Sequence, residues 1–174
     1  MHPLPGGLRS LTGILAAVLF AFGLTGCAGL FGSAAGAADL QAGDCLKVGG
    51  AVDLPAATKV ACGSPESNFK VISSVANSDQ CPTDVDSYYS QHNTFSDDST
   101  TICMDIDWVV GGCMSVDPEH NSDPFRVDCA DGAKPNRQRA TQILTGVASV
   151  DQCTSGVGYA YDEREFTVCV EDVR

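Results

Sequence analysis

The sequence is poor in positive charge. Ten Lys and Arg stand against 22 Asp and Glu, a formal net charge of −12 over 174 residues. A field of that sign repels phosphate backbones and anionic lipid head groups, which argues against nucleic acid as a partner. The acids are scattered and form no long tail, as in a surface that resists aggregation. Cys-x-x-Cys is absent, and with it the usual spacing of redox centres and structural zinc sites. The Asp-x-Asp-x-Asp and glycine pattern of a calcium loop is missing, as is any glycine loop that would cradle phosphate. A run long enough to span a bilayer is lacking at the N-terminus. The uncharged stretch 11–24 has fourteen residues, about 21 Å as a helix against a hydrocarbon core of about 30 Å.

That stretch instead has the length of a signal-peptide apolar region. Arg9 is the one charged side chain before it. It closes on Leu24-Thr25-Gly26-Cys27, which resembles the bacterial lipobox. The resemblance implies that the Cys27 thiol is diacylglycerated, that cleavage falls before Cys27, and that the new amino terminus is acylated. The chemistry needs a thiol nucleophile with small residues before it. Residues 1–26 are thus expected to be a lipoprotein signal peptide. Residues 27–41, rich in Gly, Ala and Ser, are expected to be a lipidated flexible tether. Two or three acyl chains anchor stably, since each buried CH₂ contributes about 0.8 kcal/mol. The expected location is the extracytoplasmic face of the cell membrane.

The chain has nine cysteines. Outside the cytoplasm thiols are oxidised, and assigning Cys27 to lipid leaves an even set: Cys45, Cys62, Cys81, Cys103, Cys113, Cys129, Cys153 and Cys169. The eight fall into two fours with shared words. Gly-x-Cys-[Leu/Met] occurs at Cys45 and Cys113, Val-x-Cys at Cys62 and Cys129, Asp-Gln-Cys at Cys81 and Cys153, and Thr-[Ile/Val]-Cys at Cys103 and Cys169. Phe69-Lys70-Val71-Ile72 in the first half has Ala140-Thr141-Gln142-Ile143 at the matching place. This reads as a duplicated unit of about 60 residues, with unit 1 at 42–108 and unit 2 at 109–174. Spacing alone does not fix pairing among eight cysteines. Units that each close in the same way favour first with second and third with fourth. A unit this small depends on such staples.

Alternation and β-branched content predict strands at 58–61, 69–75 and 101–107, with counterparts at 125–129, 141–147 and 166–170. A turn is predicted at Gly63-Ser64-Pro65. Residues 82–90 suit a short helix capped by Ser78 or Asp79. Segments 91–100, 117–124 and 130–139 are polar and read as exposed loops, the last being the only basic cluster. The short apolar join 108–112 argues that the units pack together, with Trp108 as interface core. The expected fold class is α+β, mainly β: two small disulfide-stapled pseudo-repeats packed together.

Few residues suggest chemistry. His92 and His120 lie in polar stretches outside any hydrolase motif. Asp105 and Asp107 form a carboxylate pair on one face of a predicted strand, taken to be the solvent face. Neither a metal site nor a cofactor is expected. Tyr88, Tyr89, Tyr159 and Tyr161 are flanked by polar residues and fall after the third cysteine of each unit. They suit a binding surface, and burial under the long loops explains them equally well. Phe95 is similar in setting.

Lipobox, Gly-Asp-Cys-Leu at 43–46, Val-x-Cys-x-Ser-Pro at 60–65, Phe-Lys-Val-Ile at 69–72, Gln-Cys-Pro at 80–82 and Ile-Cys-Met at 102–104 together resemble the LppU-type lipoprotein family of actinobacteria. The Gly-Asp-Cys opening and Val-x-Cys turn are also similar to the septum-formation domain family. Unit 2 departs from the pattern, with Gly112 for Asp44 and Thr154 for Pro82. The resemblance implies an exported, membrane-anchored envelope protein and brings no catalytic residues. The expected function is a non-enzymatic binding or interaction module with an envelope protein or ligand as partner. The alternative is an envelope enzyme with a carboxylate or histidine site between the two units.

Overall fold

Each half of the chain folds into the same five-stranded antiparallel sheet. In unit 1 the strands are β1 (Cys45–Ala51), β2 (Leu54–Val60), β3 (Phe69–Val75), β4 (Ser87–His92) and β5 (Ser99–Ile106), in the spatial order β2-β1-β3-β5-β4. In unit 2 they are β6 (Cys113–Asp117), β7 (Ser122–Val127), β8 (Arg137–Thr145), β9 (Gly158–Tyr161) and β10 (Phe166–Asp172), in the order β7-β6-β8-β10-β9. The structure is a computed structural model and describes residues 36–51, 54–92, 98–117, 119 and 122–174. Helix among them is limited to three 3-10 turns, at Ala37–Asp39, Ser78–Gln80 and Val150–Gln152. The fold is therefore mainly β, as the alternating sequence predicts, with two packed units.

The duplication extends to residue register. Cys45 pairs with Val60 and Lys70, and Cys113 with Val127 and Arg139. In each unit the pairing of the third strand with the fifth carries one irregularity, at Val71/Ser73 in unit 1 and Cys169/Val170 in unit 2. The register corrects the word alignment: the counterpart of Phe69–Ile72 is 138–141, two residues earlier than the apparent sequence match. Packing, rather than the literal words, holds the correspondence, because Val71 and Ala140 are both buried beneath their sheets.

The disulfides are Cys45–Cys62, Cys81–Cys103, Cys113–Cys129 and Cys153–Cys169. This is the first-with-second, third-with-fourth scheme, repeated. The first bond of each unit ties its opening strand to the chain just past the neighbouring strand. The second ties a 3-10 turn to the strand next to the edge, β5 or β10. With separations of 16–22 residues, each contributes about 3 kcal/mol in the chain-entropy model.

Several expectations change. Residues 82–90 do not form a helix. Pro82 opens a turn closed by Val85 N–H to the Pro82 carbonyl at 3.3 Å, and 87–92 is β4, paired along its length with β5. The Cys81–Cys103 bond draws this segment against β5, whose free edge then takes a strand partner. The expected tether also ends earlier than residue 41. Ala37 and Leu40 are buried in the core of unit 1 with Leu46, Phe69, Val71 and Met104, and the Ala37 N–H donates to Gln91 Oε1 at 2.8 Å. Segment 130–139 is not all loop. Arg137 and Arg139 lie in β8, where Arg137 is buried and donates to the Cys129 carbonyl at 2.7 Å. The signal peptide, Cys27, His120 and Phe95 lie outside the described residues. Among the described residues no helix is long and apolar enough to cross a membrane.

Candidate functional site: the seam between the units

Strand alternation puts Ile102, Met104 and Ile106 of β5 on the core side. Cys103, Asp105 and Asp107 therefore point to the other face. That face is not solvent. Asp105 is 6% exposed and Asp107 5%, because unit 2 lies across them. Each carboxylate has an arginine partner from unit 2, and arginine suits this role through its planar fork of donors.

Arg164, in the turn between β9 and β10, supplies most of the contact. Its Nε donates to Asp84 Oδ1 at 2.8 Å. Its two terminal nitrogens clasp Asp105, at 2.5 Å to Oδ2 and 2.9 Å to Oδ1. One of them also reaches the Asp84 carbonyl at 3.0 Å, and the Arg164 backbone N–H donates to Asp84 Oδ2 at 3.1 Å. The guanidinium sits over the rings of Tyr161 and Phe166, 5.0 and 5.2 Å from their centroids. Burial works upward on the Asp84 carboxyl, but the hydrogen bonds and charge of Arg164 outweigh it and hold the group below the usual range. Burial also pushes Asp105 upward, against the same guanidinium.

Asp107 is the second point of attachment. Its Oδ2 accepts from Gly63 N–H and Ser67 Oγ, each at 2.6 Å, and from Arg126 of β7 at 3.2 Å. Arg126 also donates to the Asp107 carbonyl. The sulfurs of Cys45 and Cys62 lie with Asp107 in a cluster of potential metal donors. They are bonded to each other, so they offer no thiolate, and Asp107 is already committed to three donors.

Asp86 completes the seam. Its Oδ2 accepts from the Ile106 N–H at 2.8 Å and the Tyr161 hydroxyl at 2.7 Å. Burial of this inward side pushes the carboxyl up to about 6. The residue as a whole is exposed, and water on its outer side limits that rise. Burial, with Asp86 opposite, likewise raises the Tyr161 hydroxyl.

The four tyrosines do not form one surface. Tyr88 is 59% exposed, Tyr89 and Tyr159 are partly buried against the two cores, and Tyr161 is 2% exposed, stacked on Phe166 at 4.2 Å. The register explains this. Tyr89 faces Ile102 and Tyr159 faces Val168, so these two are equivalents, whereas Tyr88 corresponds to Gly158. A Cβ at Gly158 would lie 2.6 Å from the Val168 carbonyl, which keeps a side chain out of that place. His92, at the end of β4, is exposed. Trp108 packs on both cores, and its ring centroid lies 5.3 Å from that of Tyr159, the interface role expected of it.

Sequence reasoning missed Arg164, Asp84 and Asp86. One signal was present: Arg164 is the lone cation in the turn Asp162-Glu163-Arg164-Glu165, among three carboxylates that would otherwise repel. The spacing Asp84-x-Asp86 also mirrors Asp105-x-Asp107.

Beside these ion pairs the units leave a cleft of about 240 Å³. Ile72, Trp108, Ile143, Phe166 and Val168 give it apolar walls, and Lys70 lies among its lining residues with Asp105 and Arg164. Comparison with protein-family models, characterised proteins and solved structures found no match to this chain.

Proposed function

We propose that this chain is an exported, lipid-anchored cell-envelope lipoprotein that acts as a non-enzymatic binding or interaction module, held on the extracytoplasmic face of the membrane through Cys27. The cleft between the units is its binding surface. The observation that carries this reading is the state of the seam carboxylates. Asp84, Asp105 and Asp107 are each bonded to an arginine, an arrangement that fastens one unit to the other beside an apolar cleft. An acid–base site needs a carboxyl with a proton to exchange with substrate; these three are spent on structure, and the fourth, Asp86, accepts from the Ile106 N–H and the Tyr161 hydroxyl.

Three further points support it. The apolar run ending in Leu24-Thr25-Gly26-Cys27 has the form of a lipoprotein signal. Assigning Cys27 to lipid leaves eight cysteines, and eight is the number found in the four disulfides. Disulfides belong to the oxidising space beyond the cytoplasmic membrane. The LppU-type resemblance points to the same setting.

The test is crosslinking in intact cells, with a photoreactive residue placed at Ile143 on the cleft rim or at Tyr88 on the far edge strand. The reading expects a discrete envelope component captured from position 143 and not from position 88. Equal capture from both positions, or none from either, would contradict it.

A further inference from the structure

Unit 2 carries a second cavity, of about 530 Å³, that shares no lining residue with the cleft. Arg137 forms part of its wall. The residue is 7% exposed, and one guanidinium nitrogen donates to the Cys129 carbonyl at 2.7 Å. Its other side-chain donors have no partner among the described residues. A buried guanidinium is costly while its donors lack acceptors. Two exposed carboxylates, Glu119 and Asp172, line the same cavity. Neither is bonded to Arg137, and Asp172 instead accepts from Gln138 Nε2 at 3.2 Å.

The repeat supplies a second observation. By register Arg137, Gln138 and Asp172 correspond to Asn68, Phe69 and Ile106 of unit 1. The Asn68 side chain is fully engaged, exchanging two hydrogen bonds of 2.8 Å with the backbone of Val48. Phe69 and Ile106 are buried in one cluster with Met114 of unit 2, and Val116 packs against it. This is the face of unit 1 that unit 2 covers. On unit 2 the same face has Gln138 and Asp172 where unit 1 has apolar residues, which argues against a third unit or a second copy docking there, as in the polar outer face of a terminal repeat. A polar cap does not call for a buried arginine short of acceptors in place of the satisfied Asn68. That group points to a ligand.

We propose that this cavity binds a free basic α-amino acid, its carboxylate on the open donors of Arg137 and its ammonium groups on Asp172 and Glu119. A planar carboxylate matches the guanidinium fork. A plain anion is disfavoured by the two carboxylates and by a net charge of −12, and a plain cation leaves Arg137 unmatched and meets its charge. A zwitterion with one further positive charge satisfies both sides. At about 30 Å³ per water-sized group the volume holds about 17 non-hydrogen atoms, more than the roughly ten of lysine.

The experiment titrates L-lysine, lysinamide, cadaverine and L-glutamate into the mature protein by isothermal calorimetry, at about 0.15 M salt to screen diffuse attraction. The protein is taken as the exporting host yields it, in phosphatidylcholine vesicles if it carries lipid and free in buffer if it does not. The result then stands apart from the anchor and from the cleft. Expected is saturable binding of lysine with a Kd on the order of 0.1–1 mM. Lysinamide and cadaverine keep the positive charge and lack the carboxylate, and each should bind at least about tenfold more weakly, as should glutamate. Arg137→Met should weaken lysine binding at least about tenfold and Asp172→Asn at least about threefold. Asp172 is exposed, so its variant tests the site even where Arg137→Met does not fold. No saturable heat with lysine up to about ten times the expected Kd would overturn the proposal. So would lysinamide, cadaverine or glutamate binding as tightly as lysine, or an unaffected Asp172→Asn or folded Arg137→Met.

Discussion

Replacing Arg164 by methionine keeps most of the side chain's volume and removes its charge. The structure sets the scale of the effect. The side chains of Asp84 and Asp105 are 10% and 9% exposed, and that of Arg164 is 18% exposed. Four side-chain hydrogen bonds from Arg164 to these two residues disappear, and two nearly buried carboxylates lose their counter-charge. Removing one partner of a buried pair costs about 3–5 kcal/mol, because the other charge is left uncompensated. Partial exposure of the guanidinium places this case near about 3 kcal/mol. For a folded region of this size that lowers Tm by about 10 °C. Urea unfolding followed by Trp108 fluorescence and by far-UV circular dichroism measures it. The fluorescence transition should move to lower urea first, since Trp108 lies on the seam while each sheet keeps its own two disulfides. Arg164→Lys, which cannot clasp Asp105 with two nitrogens, should recover only part of the loss. Arg164→Met with Asp105→Leu should recover only part of it, because Asp84 still lacks its counter-charge. A loss below about 1 kcal/mol for Arg164→Met, or transitions that stay coincident in every variant, would refute the seam as the fastening between units.

Asp86→Asn tests the inward carboxyl. With a folded value of about 6 against 3.8 for the free group, the folded state binds more protons between these pH values. Stability from this group is therefore full below about pH 4 and falls as pH rises through 6. Asparagine can accept the same two hydrogen bonds, so the variant should be more stable at pH 7 by about 1 kcal/mol after discounting for exposure, with no difference near pH 3.5. Thermal unfolding across pH reads this, and a variant that tracks wild type throughout contradicts it. Leu40→Ala should cost about 2–3 kcal/mol by opening a cavity in unit 1, where a tether residue would cost nothing measurable in chemical denaturation. Peptide mapping of the unreduced protein should recover four links, all within units, and a link between units or a free thiol among the eight would break the repeat.

Much of the fold was legible because its signals are local. Alternation marked the inner strands, and the paired fours of cysteine marked the duplication and, through it, the disulfide scheme. The outer strand β4 was hidden because Pro82 and the polar run after it imitate a helix start. Only its pairing with β5 and the Cys81–Cys103 bond settle its form. The seam was less legible. Asp105 and Asp107 stood out, but their partners Arg164 and Arg126 come from the other unit, 59 and 19 residues away. A two-residue alternation states that two side chains share a face. It does not state that another sheet will cover that face. The burial of Tyr161 and the packing of Leu40 are long-range outcomes of the same kind.

The central claim is that a welded two-unit domain is held at the membrane by lipid on Cys27. Intact-mass and N-terminal peptide analysis of the membrane fraction tests it most directly, comparing wild type with Cys27→Ala. The account predicts a mature chain beginning at Cys27 with a diacylglyceryl group on its sulfur, and a Cys27→Ala protein that is neither cleaved there nor lipid-modified. A membrane-associated protein that begins elsewhere, or that carries Cys27 unmodified, would contradict it.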